Sequence, residues 1–445
     1  MSAAVALNSW GFLVGWDFET EPEFQTKLDW VDRFLTEEIE PLDLVLGNPY
    51  DKTNRRTIEH VKPLQQRVRD QGLWACHLGP ELGGAGYGQV KLALMNELLG
   101  RSGWAPTIFG CQAPDSGNAE IIAHYGTDEQ KARYLEPLLN GEISSCYSMT
   151  EPHAGADPTL FTTRLERDGD EWVLNGHKWF SSNARFASFF IVMAVSNPDV
   201  SAYQGMSMAI VPAETPGIKI LRNVGIGTES DHEGSHAYIH YDNVRIPNEN
   251  LLGGEGQAFA IAQTRLGGGR IHHAMRTIAI VKQAFDLMCE RALARQTRQG
   301  SLATMQMTQE KIADSWIEIE SFRLLVLRTA WLIDKHHDYR KVRKDISAIK
   351  AAMPKVMFDV VQRSMHLHGS LGISNEMPFS RWMVSAEALA LADGPTEVHK
   401  LALARDLLKG YTPHEGLFPR GHIPTLREAA RAKMADFLDR DAAEL

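Results

Sequence analysis

The chain has 445 residues, a formal net charge of −10, and 44% hydrophobic against 23% charged residues. That length suggests about three domains at roughly 150 residues each, and the composition is that of a globular chain with a large core. The acidic balance, with no basic stripe to offset it, argues against nucleic acid as a partner. The four cysteines, Cys76, Cys111, Cys146 and Cys289, form no C-x-x-C pair and read as small buried hydrophobes of a reducing compartment. Met1 to Trp16 has no basic n-region and no apolar run is long enough to span a bilayer. The expectation is a cytoplasmic protein without signal peptide, clear transit peptide or membrane span.

Residues 1–143 carry helical periodicity, as in Phe24, Leu28, Val31 and Leu35. Gly83-Gly84-Ala85-Gly86-Tyr87-Gly88 mimics a dinucleotide fingerprint, but no strand precedes it, so it reads as a loop. Over residues 144–250 the period shifts toward two. Asp168-Gly169 reads as a turn between Thr162–Glu166 and Glu171–Leu174, and Asn175-Gly176 as a turn after them. Phe189–Val195, Met206–Val211 and Ala237–Tyr241 read as further strands. His232, Glu233, His236 and His240 straddle a glycine loop and a strand that alternates faces, so no metal site is expected.

Residues 251–410 return to helix. One stripe runs through Ile271, Met275, Ile278, Phe285, Met288 and Ala292, and a second through Ile312, Trp316, Ile319, Phe322, Val326 and Ile333. A third runs from Ile346 to Leu367 with a bend expected at Pro354, and Trp382 to Leu408 supplies a fourth. Four long helices with short links imply an antiparallel bundle. The fold class is α+β, mainly α: a helical N-terminal domain, a middle β-barrel and a C-terminal four-helix bundle. The tail, 411–445, has helical potential after Pro424 and no assigned role.

Two segments carry chemistry. Cys146-Tyr147-Ser148-Met149-Thr150-Glu151-Pro152-His153-Ala154-Gly155-Ala156-Asp157 joins a short strand to a small-residue loop that lets main chain approach a flat polar ligand. Asp393-Gly394-Pro395-Thr396-Glu397-Val398-His399 offers a carboxylate, though Asp, Gly and Pro are also ordinary turn residues. Together they resemble the acyl-CoA dehydrogenase family of flavoproteins from about Glu21 to Lys409. The Ala392–His399 string and the Gly269-Arg270-Ile271-His272-His273 run are similar to the branch of family members ten and eleven.

The resemblance implies FAD between barrel and bundle. Tyr147, Met149 and Thr150 would flank the flavin ring, Gly155 and Ala156 would approach cofactor and acyl chain, and Phe180, Ser181 and Ser182 would cover the other edge. Ser182 would lie near the hydride-accepting nitrogen. The family usually has tryptophan, a hydrophobe and threonine at those three positions. Arg295 and the stretch His366 to Gly372, with Gly369 and Ser370, would meet FAD phosphates and adenine across a subunit boundary, which implies a homodimer or homotetramer. The usual glutamine and glycine pair are here His366, Gly369 and Ser370, and the usual phenylalanine-glycine pair is Arg298-Gln299. Pro395 and Glu397 would also touch the cofactor.

Spacing from Gly372 through Pro378 places Asp393 at the family's catalytic glutamate, one methylene shorter. The family's other base position is Thr264 here, and its Arg-Asp pair upstream of the base is Val384-Ser385. Removal of an α proton needs a carboxylate in a dry pocket and donors for the enolate oxygen. By resemblance those donors are the Asp393 N–H and a ribityl hydroxyl. Ala156, Arg265, Gly268, Arg270, Ala392 and Gly394 would contact the acyl-CoA. Arg265 read alone is also a surface ion pair. Gly267-Gly268-Gly269, which cost a helix on the order of 1 kcal/mol each, mark either tight packing or room for the thioester. The implied function is α,β-dehydrogenation of an acyl-CoA to trans-2-enoyl-CoA, with an electron-transfer flavoprotein as acceptor. The alternatives are an oxidase or flavin monooxygenase on the same fold, or a flavoprotein scaffold with little turnover.

Overall fold

The computed structural model describes residues 20–51, 54–227, 229–230 and 233–438, apart from the side chain of Glu81. Met1 to Trp16 and His232 lie outside them. Helix α1 (Pro22–Phe34) starts on a proline with Glu23 in its first turn, both suited to a helix N-terminus, and buries Phe24, Leu28, Val31 and Phe34. Helix α2 (Arg55–Asp70) is capped by Asn54, whose side chain accepts from the Thr57 N–H. Helices α3 (Gly88–Leu99) and α4 (Asp115–Tyr125) follow. The segment before α3 is a loop and short turn without a strand.

The middle sheet contains β1 (Ser145–Ser148), β2 (Arg164–Asp168), β3 (Glu171–Ser182), β4 (Phe189–Val195), β5 (Met206–Pro212), β6 (Ile218–Val224), β7 (His236–Pro247) and β8 (Leu251–Leu252). They pair in the order β6-β7-β3-β1-β4-β5-β8. Strand β2 pairs with both β3 and β4, so β3, β1, β4 and β2 close on themselves as a barrel. Asp168-Gly169 is the expected turn. Asn175-Gly176 is not one, because β3 continues through it with a register shift at Gly176. A Cβ on Gly176 would stand 2.6 Å from the Thr163 hydroxyl, so glycine there serves close approach. Strand β6 escaped the sequence pattern because its residues are largely exposed and show no alternation.

Helices α5 (Ala258–Ala294), α6 (Gln306–His336) and α7 (Tyr339–His368) are the long members of the C-terminal region. Helix α7 is assigned as one helix through Pro354, where a bend was expected. On α6, Ile319, Phe322, Val326 and Ile333 are buried, but Trp316 is 56% exposed rather than on the stripe. The expected fourth helix is two, α8 (Phe379–Leu391) and α9 (Thr396–Leu408). Asp393 and Gly394, at φ +56° and +107°, cannot continue a right-handed helix, and Pro395 has no N–H to give. Helix α10 (Ile423–Lys433) in the tail buries no residue.

One apolar core joins Phe24, Leu28 and Leu92 of the N-terminal helices to Ile271, Met275, Phe322 and Ile346 of the long helices. A second places Tyr147, Phe189 and Ile191 of the sheet against Ile122 of α4 and Ile261 of α5. Helix α5 therefore touches both other regions, and the candidate site lies along it. No described helix is long and apolar enough to cross a membrane.

Candidate active site

The break between α8 and α9 presents Asp393. Left-handed backbone at a non-glycine residue costs about 1–3 kcal/mol and persists only when the surroundings hold it. Here three side chains hold the loop by its carbonyls. Arg270 Nε donates to Asp393 O at 3.0 Å and His399 Nε2 donates to the same oxygen at 3.2 Å. Lys350 Nζ, fully buried, donates to Leu389 O at 2.5 Å and Gly394 O at 3.4 Å. At about 1 kcal/mol per bond, and more from charged donors, these outweigh the strain. With the backbone fixed, the carboxylate is the group left to act.

That carboxylate fits a gap in α5. A Cβ built on Gly269 would stand 2.8 Å from Asp393 Oδ2, so any other residue there crowds the carboxylate. His273, one turn on, places Nε2 3.5 Å from the same oxygen. Burial lowers the His273 pKa, and Asp393 draws it partly back. Burial likewise brings Lys350 down to about 8, against the upward pull of Asp393. The other two glycines also face neighbouring side chains, Gly268 closely and Gly267 at ordinary contact distance. Tyr339 is 3.4 Å from a Cβ on Gly267, and Glu120 Oε2 3.3 Å from one on Gly268. Gly268 and Gly269 are packed closely by Glu120 of α4 and by Asp393, whereas Gly267 meets Tyr339 of α7 at ordinary contact.

Polar side chains lie beyond Gly268. Burial raises Glu120 to about 7, with Arg265 opposing. Burial takes His77 down to about 3 and His272 well below its usual value, so both are neutral. Their rings meet edge to face at 6.3 Å, and the buried His272 Nε2 has no hydrogen-bond partner among the described residues. Such a nitrogen has a use for a ligand.

Arg265 is not a surface ion pair. Its Nε donates to Asn118 Oδ1 at 3.0 Å, and its guanidinium lies 3.8 Å from the centre of the Tyr147 ring. It therefore ties α5 and α4 to the sheet. Tyr147, Ser182 and His236 are backbone partners in a row across β1, β3 and β7. Beneath them Tyr241 donates to Ser148 Oγ at 3.0 Å, and the Ser148 and Ser181 hydroxyls are 2.8 Å apart. The loop after β1 is pinned by a fully buried ion pair, Lys178 Nζ to Glu151 Oε1 at 3.0 Å. Lys178 also donates to Met149 O at 2.7 Å, and Glu151 accepts from the Thr162 and Thr163 N–H groups. Burial pushes the Glu151 pKa up, but Lys178 and those N–H groups carry it down to about 2.

A register shift between Lys178 and Ser181 turns Phe180 to φ +55° and leaves it 39% exposed. Gly155 and Ala156 are exposed, and only Thr150 Cγ2, at 3.6 Å, comes near a Cβ built on Gly155. The protein's own packing thus does not demand a glycine there, and Met149, Thr150, Gly155 and Phe180 all keep exposed surface. Within one chain the remaining predicted cofactor residues are distant. Arg295 follows α5, 26 residues beyond Gly269, which is about 39 Å of helix at 1.5 Å per residue. His366, Gly369 and Ser370 are exposed at the end of α7. Ala392 and Glu397 are also exposed, and Pro395 and Gly394 are half-buried in the base loop.

Sequence reasoning missed Lys350, Glu120, His77 and the Lys178–Glu151 pair. A lysine in the apolar stripe of α7 was the one signal available for Lys350. Among the described residues no group of three metal-binding side chains occurs. His240 instead stacks on His177 at 4.2 Å.

The Asp393 carboxylate thus sits on a braced loop facing the gap at Gly269 of α5, with His273 beside it. Family models for the acyl-CoA dehydrogenase N-terminal, middle and C-terminal domains match residues 21–142, 146–244 and 256–408. The chain belongs to the acyl-CoA dehydrogenase family, flavin-dependent oxidoreductases with FAD as cofactor. It is 39% identical over 396 residues to the probable acyl-CoA dehydrogenase FadE2 of Mycobacterium tuberculosis, covering 87% of this chain and 92% of that protein. It is 37% identical to acyl-CoA dehydrogenase family member 11 of Gallus gallus over 84% of this chain and 49% of that one. The chain thus spans about half the length of that vertebrate relative. A putative acyl-CoA dehydrogenase from Mycobacterium abscessus superposes with a TM-score of 0.82 at 36% identity, covering 88% of this chain and all of that one. Butyryl-CoA dehydrogenase from Megasphaera elsdenii gives 0.74 at 26%, with the same coverage.

Proposed function

We propose that the chain oxidises an acyl-CoA thioester to the trans-2-enoyl-CoA, with Asp393 as the base that removes the α proton. The observation that carries this reading is the Asp393 carboxylate set into the Gly269 gap while Arg270, His399 and Lys350 occupy its loop's carbonyls. Tyr147, Met149, Thr150, Gly155, Ala156 and Phe180–Ser182 would form a ledge that holds FAD, which when bound would supply the hydride acceptor. Asp393 would hold the abstracted proton, and by resemblance its main-chain N–H and a ribityl hydroxyl would donate to the developing enolate oxygen. His273 and the Gly269 face of α5 cover part of the carboxylate, leaving the Asp393 side chain 16% exposed. Arg295, His366, Gly369 and Ser370, far from the base in their own chain, serve the FAD of a second copy in a homodimer or homotetramer. Pro395 and Glu397 border the cofactor, and an electron-transfer flavoprotein takes the electrons onward.

Glu120, His272 and His77 favour an acyl chain that carries a polar group, such as a hydroxyl, over a plain saturated one. An unmatched buried hydroxyl costs about 1–3 kcal/mol, whereas here His272 Nε2 is ready to pair with it. The close packing at Gly268 and Gly269 gives no added support for sheer length. The test is anaerobic bleaching of the bound flavin by a panel of straight, branched and hydroxylated acyl-CoAs. Bleaching by hydroxylated chains ahead of equally long plain ones supports the reading, and no bleaching by any acyl-CoA refutes it.

A further inference from the structure

The mechanism so far leaves His236 unused, although it touches two of the three residues that line one edge of the cofactor ledge. Its Nδ1 lies 3.0 Å from Ser182 Oγ. Its ring also stacks on Phe180, with centroids 4.6 Å apart and planes 19° from parallel. The contacts follow from the sheet. Ser182 and His236 are backbone partners across β3 and β7, so their side chains leave the same face. The register shift between Lys178 and Ser181 then swings Phe180 over the imidazole.

We infer that His236 is a positioning residue that fixes the direction of the Ser182 hydroxyl and thereby tunes the bound flavin; this rests on the reading that Ser182 faces the flavin's hydride-accepting nitrogen. A serine has one proton to donate. If that proton is committed to Nδ1 of a neutral imidazole, the oxygen lone pairs are what remain for the cofactor. Neutrality is consistent with burial, which lowers the His236 pKa despite Glu229 nearby. The hydride-accepting nitrogen gains a hydrogen on reduction and then needs an acceptor, so the Ser182–His236 pair favours reduced flavin over oxidised. Stacking on Phe180 holds the imidazole in plane for that bond.

The test compares the flavin midpoint potential, measured by spectroelectrochemistry, in the FAD-loaded full-length protein and five variants. His236→Phe keeps a ring against Phe180 and deletes Nδ1. His236→Asn puts an acceptor near the position of Nδ1, and His236→Gln puts one near Nε2. The reduction equilibrium is expected to shift about tenfold toward oxidised flavin in His236→Phe, which for a two-electron couple is about 30 mV downward. His236→Asn restores it to within about threefold and His236→Gln does not. Ser182→Ala gives the same shift as His236→Phe, and combining the two adds nothing further. A potential that stays put or rises in His236→Phe overturns the inference. So do equal potentials in the Asn and Gln variants, a comparison that survives even if the Phe variant does not fold. Failure of the unaltered protein to hold FAD overturns this inference together with the reading beneath it, whereas FAD bound with an indifferent potential overturns this one alone.

Discussion

Gly269→Ala isolates the geometry of the base from the stability of the fold. The added methyl would stand 2.8 Å from Asp393 Oδ2, and ordinary contact begins at 3.4 Å, so the carboxylate must retreat by about 0.6 Å (3.4 − 2.8). The loop backbone cannot retreat with it, because Arg270, His399 and Lys350 hold its carbonyls. The side chain must instead rotate out of line. A misplacement of about 1 Å at a reacting group costs on the order of 10²-fold, so a fall in kcat of roughly 10- to 100-fold is expected. The helix itself gains, since alanine is favoured over glycine by about 1 kcal/mol in a helix interior. Thermal melting and steady-state kinetics on the same FAD-loaded preparation separate the two effects. An unchanged or higher Tm with kcat reduced is the expected pair. Full activity in Gly269→Ala would show that the carboxylate does not use this gap, and the placement of the base would fail with it.

Three further outcomes follow from single contacts. Lys178→Met leaves Glu151 buried without its cation, and urea unfolding should show a loss of about 3–5 kcal/mol; a loss under about 1 kcal/mol would mean the pair does not pin the loop. Glu120 is raised in the fold to about 7 from 4.5, so its contribution to stability is complete below pH 4.5 and is lost as pH rises to 7. The stability of Glu120→Gln relative to the unaltered protein should therefore climb between pH 4.5 and 8. The rise is at most about 3 kcal/mol, because 2.5 units (7 − 4.5) at about 1.36 kcal/mol each is a ceiling for a carboxyl that keeps some solvent contact; a pH-independent difference would refute the raised pKa. If Arg295 and His366 serve the cofactor of a second copy, diluting the protein should release FAD in step with dissociation in sedimentation, and a stable FAD-loaded monomer would contradict that.

The order helix, sheet, helix was legible because each region keeps one period. Phe24, Leu28 and Val31 repeat at helical spacing, and Phe189–Val195 is an apolar run bounded by turn residues. Where the pattern misled, tertiary context had overridden a local signal. Asn175-Gly176 has the chemistry of a turn, yet Thr163 packs so close that only glycine lets β3 pass. Trp316 has helical spacing but faces outward. The base string was visible by its likeness to a family, but its supports were not. Lys350 lies 43 residues before Asp393, and nothing local marks a lysine as buried or says whose carbonyl it will reach. The Lys178–Glu151 pair was hidden for the same reason. The glycines of α5 were legible as a cost, but only the fold tells that Asp393, Glu120 and Tyr339 face them.

The most direct measurement is rapid-mixing reduction of the flavin in Asp393→Asn under anaerobic conditions, with whichever acyl-CoA bleaches the unaltered protein fastest. The amide keeps the shape of the carboxylate and cannot accept the α proton. The account expects a yellow, FAD-loaded protein that still binds the acyl-CoA but whose flavin is reduced several orders of magnitude more slowly. Reduction at an undiminished rate would contradict it, because some group other than Asp393 would then be removing the proton.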